Sequence, residues 1–161
     1  MANATKAESW LESFSVAKTT HGGPAQIAYY TIASGETIRR GDPLVLNAGE
    51  VEEAADDSGA LLGIAAAAGD AGDEIPVYVA TRETIFVVQA DGDISSKTYP
   101  FECDIVSDGG TGWLADIGSS VEDVLHVIEP VPGDDADDTT DPPRVYCQIK
   151  RSQWDELVAA R

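Results

Sequence analysis

The sequence predicts a mainly β protein, a compact β-barrel or sandwich with an extended N-terminal arm and a short C-terminal helix. Three observations predict it. The apolar runs are short and rich in β-branched or aromatic residues, as at 29–32, 43–46 and 75–79. Residue pairs that suit tight turns separate them, among them Ser34-Gly35, Gly41-Asp42, Ser58-Gly59 and Gly72-Asp73. Runs of this length, cut at this spacing, pack as sheets and not as helices. At 161 residues the chain has the length of one domain, enough to bury a core without metals or disulfides. It divides into an arm (1–25), a β core (26–131), an acidic Pro/Asp-rich loop (132–143) and a final strand with a helix (144–161).

Residues 1–24 do not match the β pattern that follows, and two readings are open. A helix over 7–17 gathers Trp10, Leu11 and Phe14 on one face. An extended arm makes the same side chains anchors for pockets on a neighbouring molecule. Thr19 to Pro24 then breaks regular structure as a hinge.

The core opens with a strand from Gln26 and continues as strand, tight turn and strand over 35–46, with Pro43 at a strand start where its missing N–H is tolerated. Polar and apolar residues alternate over 50–54, as on a half-exposed strand. The run 60–68, ALLGIAAAA, is the most apolar in the chain and the expected centre of the core, although its alanines also suit a close subunit contact. A loop at 69–73 leads to strands at 75–79 and 84–89, the second ending at Asp91-Gly92, a dipeptide favoured in hairpins. Further strands are expected over 99–106, from Trp113, and over 124–131.

Residues 130–143, PVPGDDADDTTDPP, have no apolar periodicity and read as a solvated loop or linker. A last strand covers 144–149. A helix over 153–160 sets Trp154, Leu157 and Val158 on one face, so that Trp10, Leu11, Phe14, Trp154 and Leu157 are the candidate interface residues.

Charge is the sharpest compositional fact: 29 acidic against 10 basic residues, a formal net charge of −19. Such a surface repels phosphate, and the only adjacent basic pairs are Arg39-Arg40 and Lys150-Arg151, so no nucleic-acid partner is expected. No apolar run approaches membrane-spanning length and the N-terminus lacks signal-peptide order, so neither membrane insertion nor export by that route is expected. Scarce lysine with abundant Asp and Glu suits molar salt, where screening removes most self-repulsion. A halophilic host is therefore expected.

Tests for chemistry find little. Only His21 and His126 could serve as a hydrolase base, one in a glycine-rich hinge and the other alternating with valines. Asp134, Asp135, Asp137, Asp138 and Asp141 could ligate Ca²⁺ but lack the ordered spacing of a calcium loop. Cys103 and Cys147 read as buried small hydrophobes, with a disulfide as the alternative and no zinc site expected, since a closed site normally wants four ligands. No phosphate-cradling glycine motif occurs. No catalytic residue and no cofactor is expected.

The stretch YTIASGETIRRGDPLVLNAGEVEEA, followed by GALLGIAAAAGDAGDEIPVYVATRETIFVVQA, resembles the capsid decoration, or head-stabilising, proteins of tailed viruses. The shared elements are G-x-x-I-x-x-GD at Gly35, Ile38, Gly41 and Asp42 with Val45, then G-I-A at Gly63, Ile64 and Ala65, then GD-x-I-x-V at Gly72, Asp73, Ile75 and Val77. The resemblance covers about residues 26–92 and continues more loosely to Val131. Lipoyl-like half-barrels share part of it, but they carry a lysine at a hairpin tip, and none lies between Lys18 and Lys97. The resemblance implies a β-tulip-like body on the outer surface of a virion, made in the host cytoplasm. It further implies a homotrimer that binds the major capsid protein and bridges its subunits, as a cement protein does. Another virion component (turret, fibre base or tail protein) and a ligand-binding β module are the alternatives.

Overall fold

A computed structural model describes residues 13–109 and 112–160. Its strands are β1 (Phe14–Thr19), β2 (Ile27–Thr31), β3 (Thr37–Ile38), β4 (Pro43–Asn47), β5 (Glu50–Glu53), β6 (Gly63–Ala65) and β7 (Gly69–Asp70). They continue with β8 (Glu74–Val79), β9 (Thr84–Gln89), β10 (Phe101–Ser107), β11 (Trp113–Asp116), β12 (Leu125–Pro130) and β13 (Arg144–Ile149), and the chain ends on α1 (Gln153–Ala159). One sheet has the order β1-β9-β13-β12-β10-β11, a second β2-β8-β6-β4-β5, and β3 and β7 form a short ribbon. Every pairing between named strands is antiparallel.

Two cores follow. The larger joins the sheets: Phe14, Phe86, Val88, Cys103, Ile105, Leu125, Val127, Val145 and Ile149 of the first sheet bury with Leu61, Ile64 and Ala80 from the second half of the fold. The smaller fills the curl of the second sheet, with Ile32, Ile38, Leu44, Val51, Leu62, Ala65, Ile75 and Val77. The ends of that sheet meet through a single Ile32–Val51 bridge, so it curls without closing, and the architecture is a sandwich, not a closed barrel. The run at 60–68 lies between both cores. Leu61 and Ile64 face one and Leu62 and Ala65 the other, which is why it lacks polar alternation.

The three fragments of the glycine motif meet in the second sheet. At each GD the turn is built alike. Asp42 N–H donates to the Arg39 carbonyl (3.1 Å) while its carboxylate accepts Arg39 N–H (2.8 Å). Asp73 does the same with Asp70 (3.0 and 2.9 Å). A short carboxylate can cap its own turn in this way, and Gly41 supplies the φ of 90° the turn requires. Gly41 N–H then donates to the Ala65 carbonyl and Ala65 N–H to the Asp42 carbonyl, each at 2.9 Å, tying the first GD to G-I-A. Gly63 sits where β6 and β8 approach so closely that a Cβ would overlap the Tyr78 carbonyl.

Several expectations are corrected. Residues 14–19 are neither helix nor free arm: they form an edge strand on β9, and Phe14 is fully buried in the chain's own core, out of reach of a neighbour's pocket. Alternation over six residues is too short a signal to reveal a strand whose partner lies seventy positions away. Trp10 and Leu11 lie outside the described residues. Part of the expected loop at 69–73 is β7, paired to β3. Asp91-Gly92 closes no hairpin, because β9 pairs with β1 and β13 and not with β10.

The acidic loop is not a linker. Arg144 grips Asp134 with two side-chain bonds (2.9 and 3.0 Å) and its own N–H (2.9 Å). Ile94 N–H donates to the Ala136 carbonyl and Ala90 N–H to the Pro143 carbonyl. Cys103 and Cys147 are free and buried on strands that both pair with β12. A strand between them sets them about 10 Å apart, too far for a disulfide.

Candidate interaction surface

Asp42, Asp104 and Asp134 are engaged in holding the fold. Asp104 is buried and accepts four hydrogen bonds, from Ser119 Oγ (2.7 Å) and the N–H groups of Val121 (3.1 Å), Glu122 (2.9 Å) and Asp123 (2.8 Å). Burial alone would raise its carboxyl, but these bonds outweigh it and hold it below the ordinary range. Asp134 follows the same pattern: burial opposes, and Arg144 prevails. At Asp42 the balance reverses. Burial pushes its carboxyl up to about 6, aided by the charge of Glu53 and opposed by Arg39. Arg39 lies 3.6 Å from Asp42 and 3.8 Å from Glu53, which also accepts the Trp113 indole N–H at 2.7 Å. This node joins the first GD turn to β5 and β11.

His126 Nδ1 lies 2.8 Å from Glu102, which Lys150 approaches to 3.6 Å, and His21 lies 3.3 Å from Glu83. Each histidine thus lies beside a carboxylate. Burial drives the Cys103 thiol up to about 12 and raises that of Cys147 as well, the opposite of an activated nucleophile.

The five aspartates of the calcium candidate do not converge on one point. Asp134 binds Arg144, Asp138 accepts the N–H groups of Thr140 and Asp141 (2.9 Å each), and Asp141 accepts from Gln89 (3.2 Å). The exposed Asp137 carboxyl is raised by its hydrogen bond to Asp135. Among the described residues no group of three or more His, Cys, Asp or Glu is placed to hold a metal ion. The loop's carboxylates cap turns and bind arginine instead.

What remains is surface. Helix α1 is pinned at its start: Ser152 Oγ donates to the Ala80 carbonyl (2.6 Å) and caps Asp155 N–H (3.1 Å). The Gln153 side chain spans both backbone groups of Leu46 (2.7 and 3.3 Å). Trp154 is half-buried against the smaller core, so it fastens the helix to its own body instead of reaching outward. Leu157 and Val158 are exposed. Beside them an open depression of about 490 Å³ is lined by Arg82, Lys150, Arg151, Asp155 and Glu156. Arg82 pairs with Asp155 at 3.6 Å, so the charges there are largely offset.

A second apolar surface went unrecognised as such in the sequence. Ile27 and Tyr29, two apart on β2, project from the same face of an edge strand and are 44% and 64% exposed. One signal could have found it: residues 22–35 carry no Asp, Glu, Lys, Arg or His in a chain that is 24% charged. Among the described residues no helix is long and apolar enough to cross a membrane. A scan against protein-family models finds no match, and neither does a search of curated proteins.

Proposed function

We propose that this chain is a structural virion protein that decorates the outer surface of a capsid and stabilises it by bridging major capsid protein subunits. The observation that carries this reading is the way the motif fragments cooperate. Gly41-Asp42 is bonded to Ala65 of Gly63-Ile64-Ala65, and Ile75 and Val77 of the third fragment share the smaller core with Ile38 and Ala65, as a shared structural unit would require. The body around that unit uses its buried carboxylates as structural clamps and carries no activated nucleophile among the described residues, which suits binding without catalysis. Exposed Leu157 and Val158 on α1 supply contact points on an otherwise acidic surface. Many weak contacts repeated over a lattice act at high effective concentration, so modest affinity per copy suffices.

The test is to add the purified protein to expanded capsid shells of the virus that encodes it, in molar salt. Saturable binding in a fixed ratio to the major capsid protein, with increased resistance of the shells to heat and dilution, is expected. Shells that neither bind the protein nor gain resistance would overturn the reading.

A further inference from the structure

Among the described residues, strand β2 is the one sheet edge longer than two residues that carries neither a charged side chain nor a register shift. The edge at β1 has a register shift between Val16 and Lys18, and a lysine at that point. The edge at β5 carries Glu50, Glu52 and Glu53 and is bridged by Ile32. The edge at β11 ends on Asp116 and is bridged through Ala115 to Ala90. Strand β2 pairs with β8 in unbroken register over Ile27–Thr31 and has no charged residue.

The register also decides which backbone groups face outward. Val79 N–H donates to the Gln26 carbonyl and Ile32 N–H donates to the Asp73 carbonyl, so the even-numbered residues of this stretch turn their N–H and C=O groups toward β8. Those of Ile27 and Tyr29 point to the open edge. Thr31 is next, but the Ile32–Val51 bridge occupies that end.

We propose that β2 pairs antiparallel with β2 of a second copy, about a twofold axis at Ala28. Ile27 then lies opposite the partner's Tyr29, each pair exchanging both N–H···O bonds, and the two exposed side chains stack as a cross-strand apolar pair on one face. Charge selects this occupant. A basic partner would be drawn by the acidic surface elsewhere, whereas a second chain of net charge −19 meets little repulsion along an uncharged stretch such as 22–35. The contact is isologous, hence distinct from the threefold grouping that the resemblance implies. It stands or falls independently of shell binding.

The experiment is sedimentation of the full chain from micromolar to ~1 mM in low and in molar KCl, with the single variants Ile27→Lys and Tyr29→Lys alongside. A monomer–dimer equilibrium is expected, tightened by salt and weakened about tenfold or more by either lysine, which guards an edge. Each lysine lowers the net negative charge, so a loss of dimer cannot be ascribed to added repulsion. Hydrogen exchange on the unmodified protein gives a reading that does not depend on the variants: the Ile27 and Tyr29 amides should exchange freely when dilute and become protected as the dimer forms. A monomer throughout, a trimer, a dimer indifferent to both lysines, or these two amides unprotected in the associated species would each overturn the proposal.

Discussion

At Asp104 and Asp42, two buried aspartates in one fold, the same physics gives opposite titration behaviour. Asp104 has four donors to offset its burial, and its carboxyl is held low. Its contribution to stability is therefore complete above the ordinary carboxyl range and is lost as pH falls through its depressed value. Asp104→Ala should cost about 2–4 kcal/mol at neutral pH, since it strands the N–H groups of Val121, Glu122 and Asp123. Denaturant unfolding measures this, and a cost within error of zero would mean water replaces the carboxylate. Asp42, raised to about 6, works the other way. The folded state holds its proton more tightly than the unfolded chain, so its contribution is largest below pH ~4 and declines by roughly 3 kcal/mol as pH rises through about 6. Asp42→Asn keeps an acceptor for Arg39 N–H without the buried charge. Its melting midpoint should gain on that of the unmodified protein across this window, and parallel pH profiles would refute the account. Neither role is legible in the sequence, where these are two acids among 29.

Among the elements, β6 makes the tightest demand. A side chain at Gly63 would meet the backbone at Tyr78 and Val79, which cannot yield without parting β6 from β8. Gly63→Ala should lose about 1–3 kcal/mol or more, and a smaller loss would show that the strands can separate. Strand β1 depends on Phe14, and Phe14→Ala should cost about 3–5 kcal/mol by opening the larger core, an effect that a surface anchor would not produce. The acidic loop depends on Arg144. Replacing it with Lys removes the paired bonds to Asp134 and should raise the exchange rate of the Ile94 amide, which donates to Ala136 in that loop. Unchanged exchange would mean the loop is held elsewhere. The strands from β8 to β13 and helix α1 were legible because each carries its own alternation or apolar face. Strand β1 and the docking of the loop were not, because both depend on partners remote in sequence: β9 for the strand, and β13 with Ile94 for the loop.

For the whole molecule, net charge decides the conditions of stability. With −19 on 161 residues, self-repulsion opposes the folded state at low ionic strength, and screening to about 3 Å at 1 M salt removes most of it. The melting midpoint should rise steadily from low salt to molar KCl. A midpoint that stays flat or falls over that series would refute salt adaptation. The two cores, built almost entirely of apolar side chains, supply the burial that this repulsion opposes.

The β class, most turn positions, the terminal helix and the acidic surface were determined by the sequence alone, since they rest on local period, turn chemistry and composition, each confined to a few neighbouring residues. Tertiary structure decided the rest. It turned Phe14 from an anchor into core, dispersed the aspartates of 134–141 among separate partners, left the second sheet curled but open, and placed Ile27 and Tyr29 on a bare edge. Those outcomes depend on which strands become neighbours. That is settled by burial and backbone pairing across the whole chain, which no short window of residues contains.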